Sequence, residues 1–280
     1  MVSRRMLASA SLIVVASVLI YLVWDLQVDE PRPHSPVEGR TTPSPVDSSS
    51  RGRDIGLGFR VCRVTGVEGL DLIGDGSRST GWTATNVRPD GRCNRSLEDS
   101  YFVALDVNGD GLADASSKPL RWCVFCRPIA ATDLDSDGDG ELLVLEQAGS
   151  VNSYSFFEMR GTDGNWELNA IPVAEPGHPM ARHAPGKPLR FWVGGDEGFS
   201  AAASCTGYPA DPLLIVEWDN HPIEGPGSER KEVHRTVLRL RDGAFHVRET
   251  SDKKVPTLSN QPSGLNRSRD VCGVNLSRPG

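Results

Sequence analysis

Two nine-residue stretches, DVNGDGLAD (106–114) and DLDSDGDGE (133–141), constrain the fold of this chain more than any other feature. Each carries oxygen-bearing side chains at positions 1, 3, 5 and 9, with a glycine at position 6 for a sharp turn. The first offers Asp106, Asn108, Asp110 and Asp114; the second offers Asp133, Asp135, Asp137 and Glu141. A backbone carbonyl from position 7, Leu112 or Asp139, completes a set of hard oxygens that suits Ca²⁺ at about 2.3–2.6 Å. Without a cation, so many carboxylates at close quarters repel one another and favour an open loop. Two Ca²⁺ sites are therefore expected, and a catalytic use of the paired carboxylates is the lesser reading.

An EF-hand is excluded. Its loop needs a bidentate Glu at position 12, where this chain has Ser117 and Val144. YFVAL (101–105) enters the first loop and ELLVLE (141–146) leaves the second. Short runs rich in branched and aromatic residues, bounded by Gly and Asp, read as strands. The loops are β-loop-β elements.

The same strand–loop–strand units recur down the chain. ELLVLE, SYSFFEMR, the turn GTDG and NWELNAI are echoed by LLIVEW (213–218), RTVLRL (235–240), the turn RDG and AFHVRE (244–249). Leu238 and Leu240 alternate with arginines, as a half-buried hairpin requires. No long amphipathic helix is predicted after residue 55, so the fold class is all-β.

Strand, D-x-[DN]-x-D-G-x-x-[DE], strand resembles the FG-GAP or VCBS repeat, known from the β-propeller of integrin α chains. The match rests on Asp106, Asn108, Asp110, Asp114, Asp133, Asp135, Asp137 and Glu141. LDLIGDGS (70–77) resembles a third, degenerate copy; it keeps Asp71 and Asp75 but has Ile73 at position 3 and Ser79 at position 9. That copy is expected to stay empty. The resemblance implies propeller-like repeats, about four blade-like units over 55–280, in a small or open arrangement or in a sandwich of the same units. It also implies recognition, adhesion or surface scaffolding.

Residues 6–24, MLASASLIVVASVLIYLVW, carry no charge. As a helix they span about 28 Å, close to the hydrocarbon thickness of a bilayer. Arg4 and Arg5 precede them and Asp25, Asp29 and Glu30 follow, so residues 1–5 are expected in the cytoplasm and the rest outside. A cleavable signal peptide is the competing reading, with a shorter apolar region. Residues 25–54 hold five prolines and a serine cluster and cannot bury enough to order themselves; they read as a tether. The expected product is a single-pass protein of the cell membrane with an extracytoplasmic domain at 55–280.

Between Glu98 and Glu146 there are eleven acids and three bases. Such a face repels nucleic acid; the recognition reading allows an extracellular protein or a glycan as ligand, which the sequence does not name. Six cysteines (Cys62, Cys93, Cys123, Cys126, Cys205 and Cys272) in an exported domain point to as many as three disulfides, with fifteen possible pairings.

WCVFC (122–126) invites a thiol-redox reading, but Pro128 and the Asp133 loop leave no room for the helix that lowers a thiol pKa. Zinc would need a second cysteine pair. No H-E-x-x-H, nucleophile elbow or phosphate loop is present. His234 and His246 read as solvated hairpin residues, and His178 and His183 lie in a Pro/Gly-rich stretch. Trp192, Trp218 and Tyr208 fit a core better than a ligand platform. An exported enzyme or thiol-redox accessory protein, its loops only bracing the fold, remains the alternative; no catalytic residue is identified.

Overall fold

A strand buried on both faces carries an unbroken apolar run, and the architecture is organised around two such strands. The computed structural model describes residues 53–87, 93, 101–120, 123, 126–162, 165–175, 188–195, 199–220, 230–256 and 270–276. All of them lie in one compact unit, Pro36–Gly280. The expected membrane helix at 6–24 and almost all of the tether at 25–54 lie outside the described residues, as do His178 and His183. Among the described residues there is no helix, and the all-β expectation holds.

β1 (Arg53–Asp54), β2 (Arg60–Leu70), β3 (Ser79–Asn86), β4 (Tyr101–Asp106) and β5 (Ala115–Ser116) form a five-stranded antiparallel sheet in chain order. A nine-stranded sheet follows. It contains β6 (Arg127–Thr132), β7 (Glu141–Gln147), β8 (Val151–Thr162), β9 (Asn165–Ala170), β10 (Phe191–Gly195), β11 (Phe199–Thr206), β12 (Leu213–Asn220), β13 (Arg230–Arg241) and β14 (Ala244–Pro256). Its order is β6-β7-β8-β10-β11-β12-β13-β14, with β9 also on β8. A two-stranded hairpin of β15 (Asp270–Val271) and β16 (Val274–Asn275) completes the described set.

β8 is long enough to hold two partners on one side. β10 pairs with its Val151–Tyr154 stretch and β9 with Phe157–Thr162. Leaving β9, the chain crosses to the far end of the sheet. Ile171 N–H donates to Phe156 O, Phe245 N–H to Pro172 O, and Ala174 N–H to Phe245 O. Glu175 then accepts from Val247 N–H, 2.8 Å. The start of β14 is thereby covered, and the hydrogen-bonded path from β8 through β14 returns to β8.

Side chains alternate across β7 and β8 into two cores. Leu143, Leu145, Tyr154 and Phe156 enter one, with Phe191, Leu214, Val216, Leu238, Leu240 and Phe245. Phe191 stacks on both Tyr154 and Phe156, centroids 5.6 Å apart in each case. Leu142, Val144 and Phe157 enter the other, where they meet Val67, Leu70, Val103 and Leu105 of the five-stranded sheet and Leu72 of the loop after β2. Each such burial is worth about 1.5–3 kcal/mol. This is why ELLVLE carries no period of two.

The expectation of about four blade-like units is corrected here. The two strand sets that suggested it, at 141–170 and 213–249, belong to one continuous sheet, because β10 and β11 carry the hydrogen-bond ladder from β8 to β12. A hairpin has the same local pattern whether it closes a blade or continues a meander, so sequence period alone could not separate the two.

All six cysteines are bonded, as Cys62–Cys93, Cys123–Cys126 and Cys205–Cys272. The last ties β11 to the β15–β16 hairpin, whose Val271, Val274 and Leu276 fill the first core. A two-residue strand pair is not stable alone; the disulfide and the Thr132 hydroxyl, which donates to Cys272 O at 2.9 Å, hold it in place. Cys123 and Cys126 are buried in the core between the sheets.

Candidate functional site

Each acidic loop joins two strands, and its strand register decides which side chains converge. Asp106 ends β4 and Asp114 precedes β5, held by Leu105 opposite Ala115. Thr132 pairs with Glu141, which places Asp133 and Glu141 at the mouth of the second loop.

The hydrogen bonds of the two loops then match position by position. Position 1 accepts from the N–H of positions 4 and 6: Asp106 from Gly109 and Gly111 at 2.6 and 2.8 Å, Asp133 from Ser136 and Gly138 at 2.7 and 3.2 Å. Position 3 accepts from position 5, Asn108 from Asp110 and Asp135 from Asp137. Position 5 accepts from position 7, Asp110 from Leu112 and Asp137 from Asp139. Position 9 reaches back to position 2: Asp114 takes the N–H of Val107 at 2.7 Å and Glu141 that of Leu134 at 2.6 Å. At position 4, Gly109 and Ser136 share the left-handed backbone, φ 76° and 64°. For a serine this is an uncommon conformation.

Side-chain chemistry separates the loops where the backbone does not. In the second, carboxylate oxygens of Asp133, Asp135 and Glu141 lie within 4.8 Å of one another. Burial pushes Glu141 up to about 9; the Leu134 N–H opposes this, and the charges of Asp135, Asp133 and Asp137 add to it. Asp135 is raised to about 6, first by burial and then by Asp137. Burial also raises Asp133 and Asp139. In the first loop, position 3 is an amide, and Asn108 Nδ2 donates to Asp114 Oδ1 at 3.2 Å. That bond draws positions 3 and 9 together without a cation.

Position 5, Asp110 and Asp137, stays outside the close trio, and Leu112 at position 7 is exposed. Only the second loop brings three expected carboxylates together among the described residues.

The second loop also joins other parts of the fold, which the sequence reading missed. Ser136 Oγ donates to Pro209 O at 2.9 Å. Gly140 N–H donates to Leu72 O at 3.1 Å, so the 71–78 loop lies against it. A Cβ on Gly74 would meet Gly138 O at 1.8 Å, and one on Gly140 would meet Asp71 O at 2.4 Å. Backbone meets backbone there. The only available signal was a glycine at position 4 of the third copy.

The remaining candidates have ordinary roles. His234 Nδ1 pairs with Asp252 at 2.7 Å and its ring stacks on Trp218, while His246 pairs with Glu175 at 3.1 Å. Trp218 is buried in the first core, with Trp192 and Tyr208 packed against it. Glu146 is buried between the Arg190 guanidinium and the Ser155 hydroxyl.

Set against known proteins, the chain matches no family model and no curated sequence.

Proposed function

We propose that this protein is a calcium-braced β domain held outside the cytoplasm by its 6–24 segment, acting in recognition, adhesion or surface scaffolding. The observation that carries the calcium reading is the Asp133, Asp135 and Glu141 trio, three carboxylates within 4.8 Å with Glu141 buried. Holding three acids that close costs free energy unless they are protonated or share a cation. The hard-oxygen set selects Ca²⁺, and Mg²⁺ fits poorly because it demands tighter octahedral geometry. The first loop is the second site, and a weaker one, since Asn108 supplies an amide oxygen where the second loop has a carboxylate. The strand–loop–strand unit supports a resemblance to FG-GAP or VCBS repeats at the level of the single unit. The ions in this reading hold the fold and do no chemistry. The partner is an extracellular protein or glycan.

Extracellular calcium modules bind at roughly 10⁻⁴–10⁻³ M, and at a hundred times the dissociation constant one site adds about 2.7 kcal/mol of stability. Calcium at saturating concentration should raise the melting temperature, and a chelator should lower it. Asp135→Asn should remove the larger part of the shift and Asp110→Ala a smaller part. An identical melting temperature with calcium and with chelator would sink this reading.

A further inference from the structure

The third acidic loop, 71–78, departs from the motif at Ile73 and on sequence is expected to stay empty. Its register matches that of the second loop. Leu70 pairs with Ser79 as Thr132 pairs with Glu141, so Ser79 stands where the second loop places its buried ligand carboxylate. Leu72 and Leu134, at position 2 of each loop, are both buried, and Asp75 accepts the Ser77 N–H at 2.7 Å just as Asp137 accepts that of Asp139. The third loop thus keeps the backbone course of the second.

Two oxygens at its mouth are unexplained. Ser79 is 0% exposed and its Oγ has no hydrogen-bond partner. Asp71 Oδ1, at position 1, is likewise shielded from solvent and without a partner. A buried hydroxyl or carboxylate left unpaired is costly, so the pair at the mouth of this loop calls for a ligand. The adjoining loop lies against the same place at residues 139–140: a Cβ on Gly140 would meet Asp71 O at 2.4 Å, and Gly140 N–H donates to Leu72 O.

We propose that Asp71 Oδ1 and Ser79 Oγ, with the Asp139 carboxylate of the adjoining loop, bind a further divalent cation of the calcium class at the junction of the two sheets. The ligands are hard oxygens, and Asp71, Asp75 and Asp139 supply the negative charge that a divalent ion needs. Ile73 removes one ligand from within the loop, and Asp139 replaces it from the neighbouring one. The ion would join the five-stranded sheet to the nine-stranded sheet by a bond that neither loop could make alone. Its Asp71 and Ser79 ligands belong to neither the 106–114 nor the 133–141 loop.

The test is a count of calcium bound to the full chain by equilibrium dialysis, with melting temperatures measured in calcium and in chelator. The intact protein should hold one calcium beyond those lost on Asp106→Asn and Asp133→Asn, and Ser79→Ala or Asp71→Asn should remove it. Ser79→Ala should also raise the melting temperature in chelator, where it deletes an unpaired hydroxyl, and lower it in calcium. A calcium count that Ser79→Ala leaves unchanged, or a variant more stable in both conditions, overturns the site. Loss of binding in Asp106→Asn and Asp133→Asn alone would leave the proposed function standing while this site falls. If those two variants change nothing and Ser79→Ala does, the opposite holds.

Discussion

Glu141 is the residue on which the candidate site turns. A carboxyl with an ordinary value of 4.5 is held up to about 9, so without metal the folded protein keeps a proton that the unfolded chain has lost above about pH 5. A raised folded-state value gives stability that is fully present below the unfolded value and lost as pH rises through the folded one. The metal-free protein should therefore lose stability steadily between about pH 5 and pH 9, on the order of 3 kcal/mol by pH 7. Glu141→Gln, neutral at every pH, should flatten that slope in chelator and reduce the stabilisation by calcium. Melting curves across this range check both; a slope that survives the substitution would place its origin elsewhere. The acidic residues of the two loops were legible in the sequence because their spacing is regular. The difference between Asn108 and Asp135 was also visible. Its consequence was not, since Asn108 closes its loop on Asp114 only in three dimensions.

Among the elements, the acidic loops behave as joints. Placing an alanine Cβ at Gly74, φ 64°, would put it 1.8 Å from Gly138 O, whereas one at Gly76, φ 77°, meets nothing within 4 Å. Both substitutions pay for a left-handed backbone, about 1 kcal/mol. Only Gly74→Ala must also push the two loops apart, and it should cost several kcal/mol more. Chemical denaturation of the two variants makes the comparison; equal losses would mean that the loop contact contributes little. Such a contact leaves almost no trace in a sequence, because backbone atoms make it and the residues involved are glycines that any turn would accept. Strand positions were easier to read. YFVAL and ELLVLE appeared as strands from residue type alone, and their burial on both faces follows from the lack of alternation. The path from β9 to β14 was not readable, since hydrogen bonds from 172–175 to Phe245 and Val247 depend on where the whole sheet goes.

Over the whole molecule, in the proposed reading, the arginines before residue 6 and the acids after residue 24 put the 55–280 domain outside the cytoplasm. A reporter fused after Gly280 should be active outside the cell and silent within; the reverse result would remove the proposed location. The architecture carries a further consequence. Leu143 and Phe156 face one core while Leu142 and Phe157 face the other, so β7 and β8 are a common wall for both. Neither apolar mass can melt without stripping one side of that wall. The described strands should therefore unfold as one cooperative unit, giving a single heat-absorption peak whose van't Hoff and calorimetric enthalpies agree. Leu142→Ala, which deletes contacts in the inter-sheet core only, should shift that single peak downward without dividing it, at a cost of about 2–5 kcal/mol. Two resolved peaks would mean that the wall can separate from one of its neighbours.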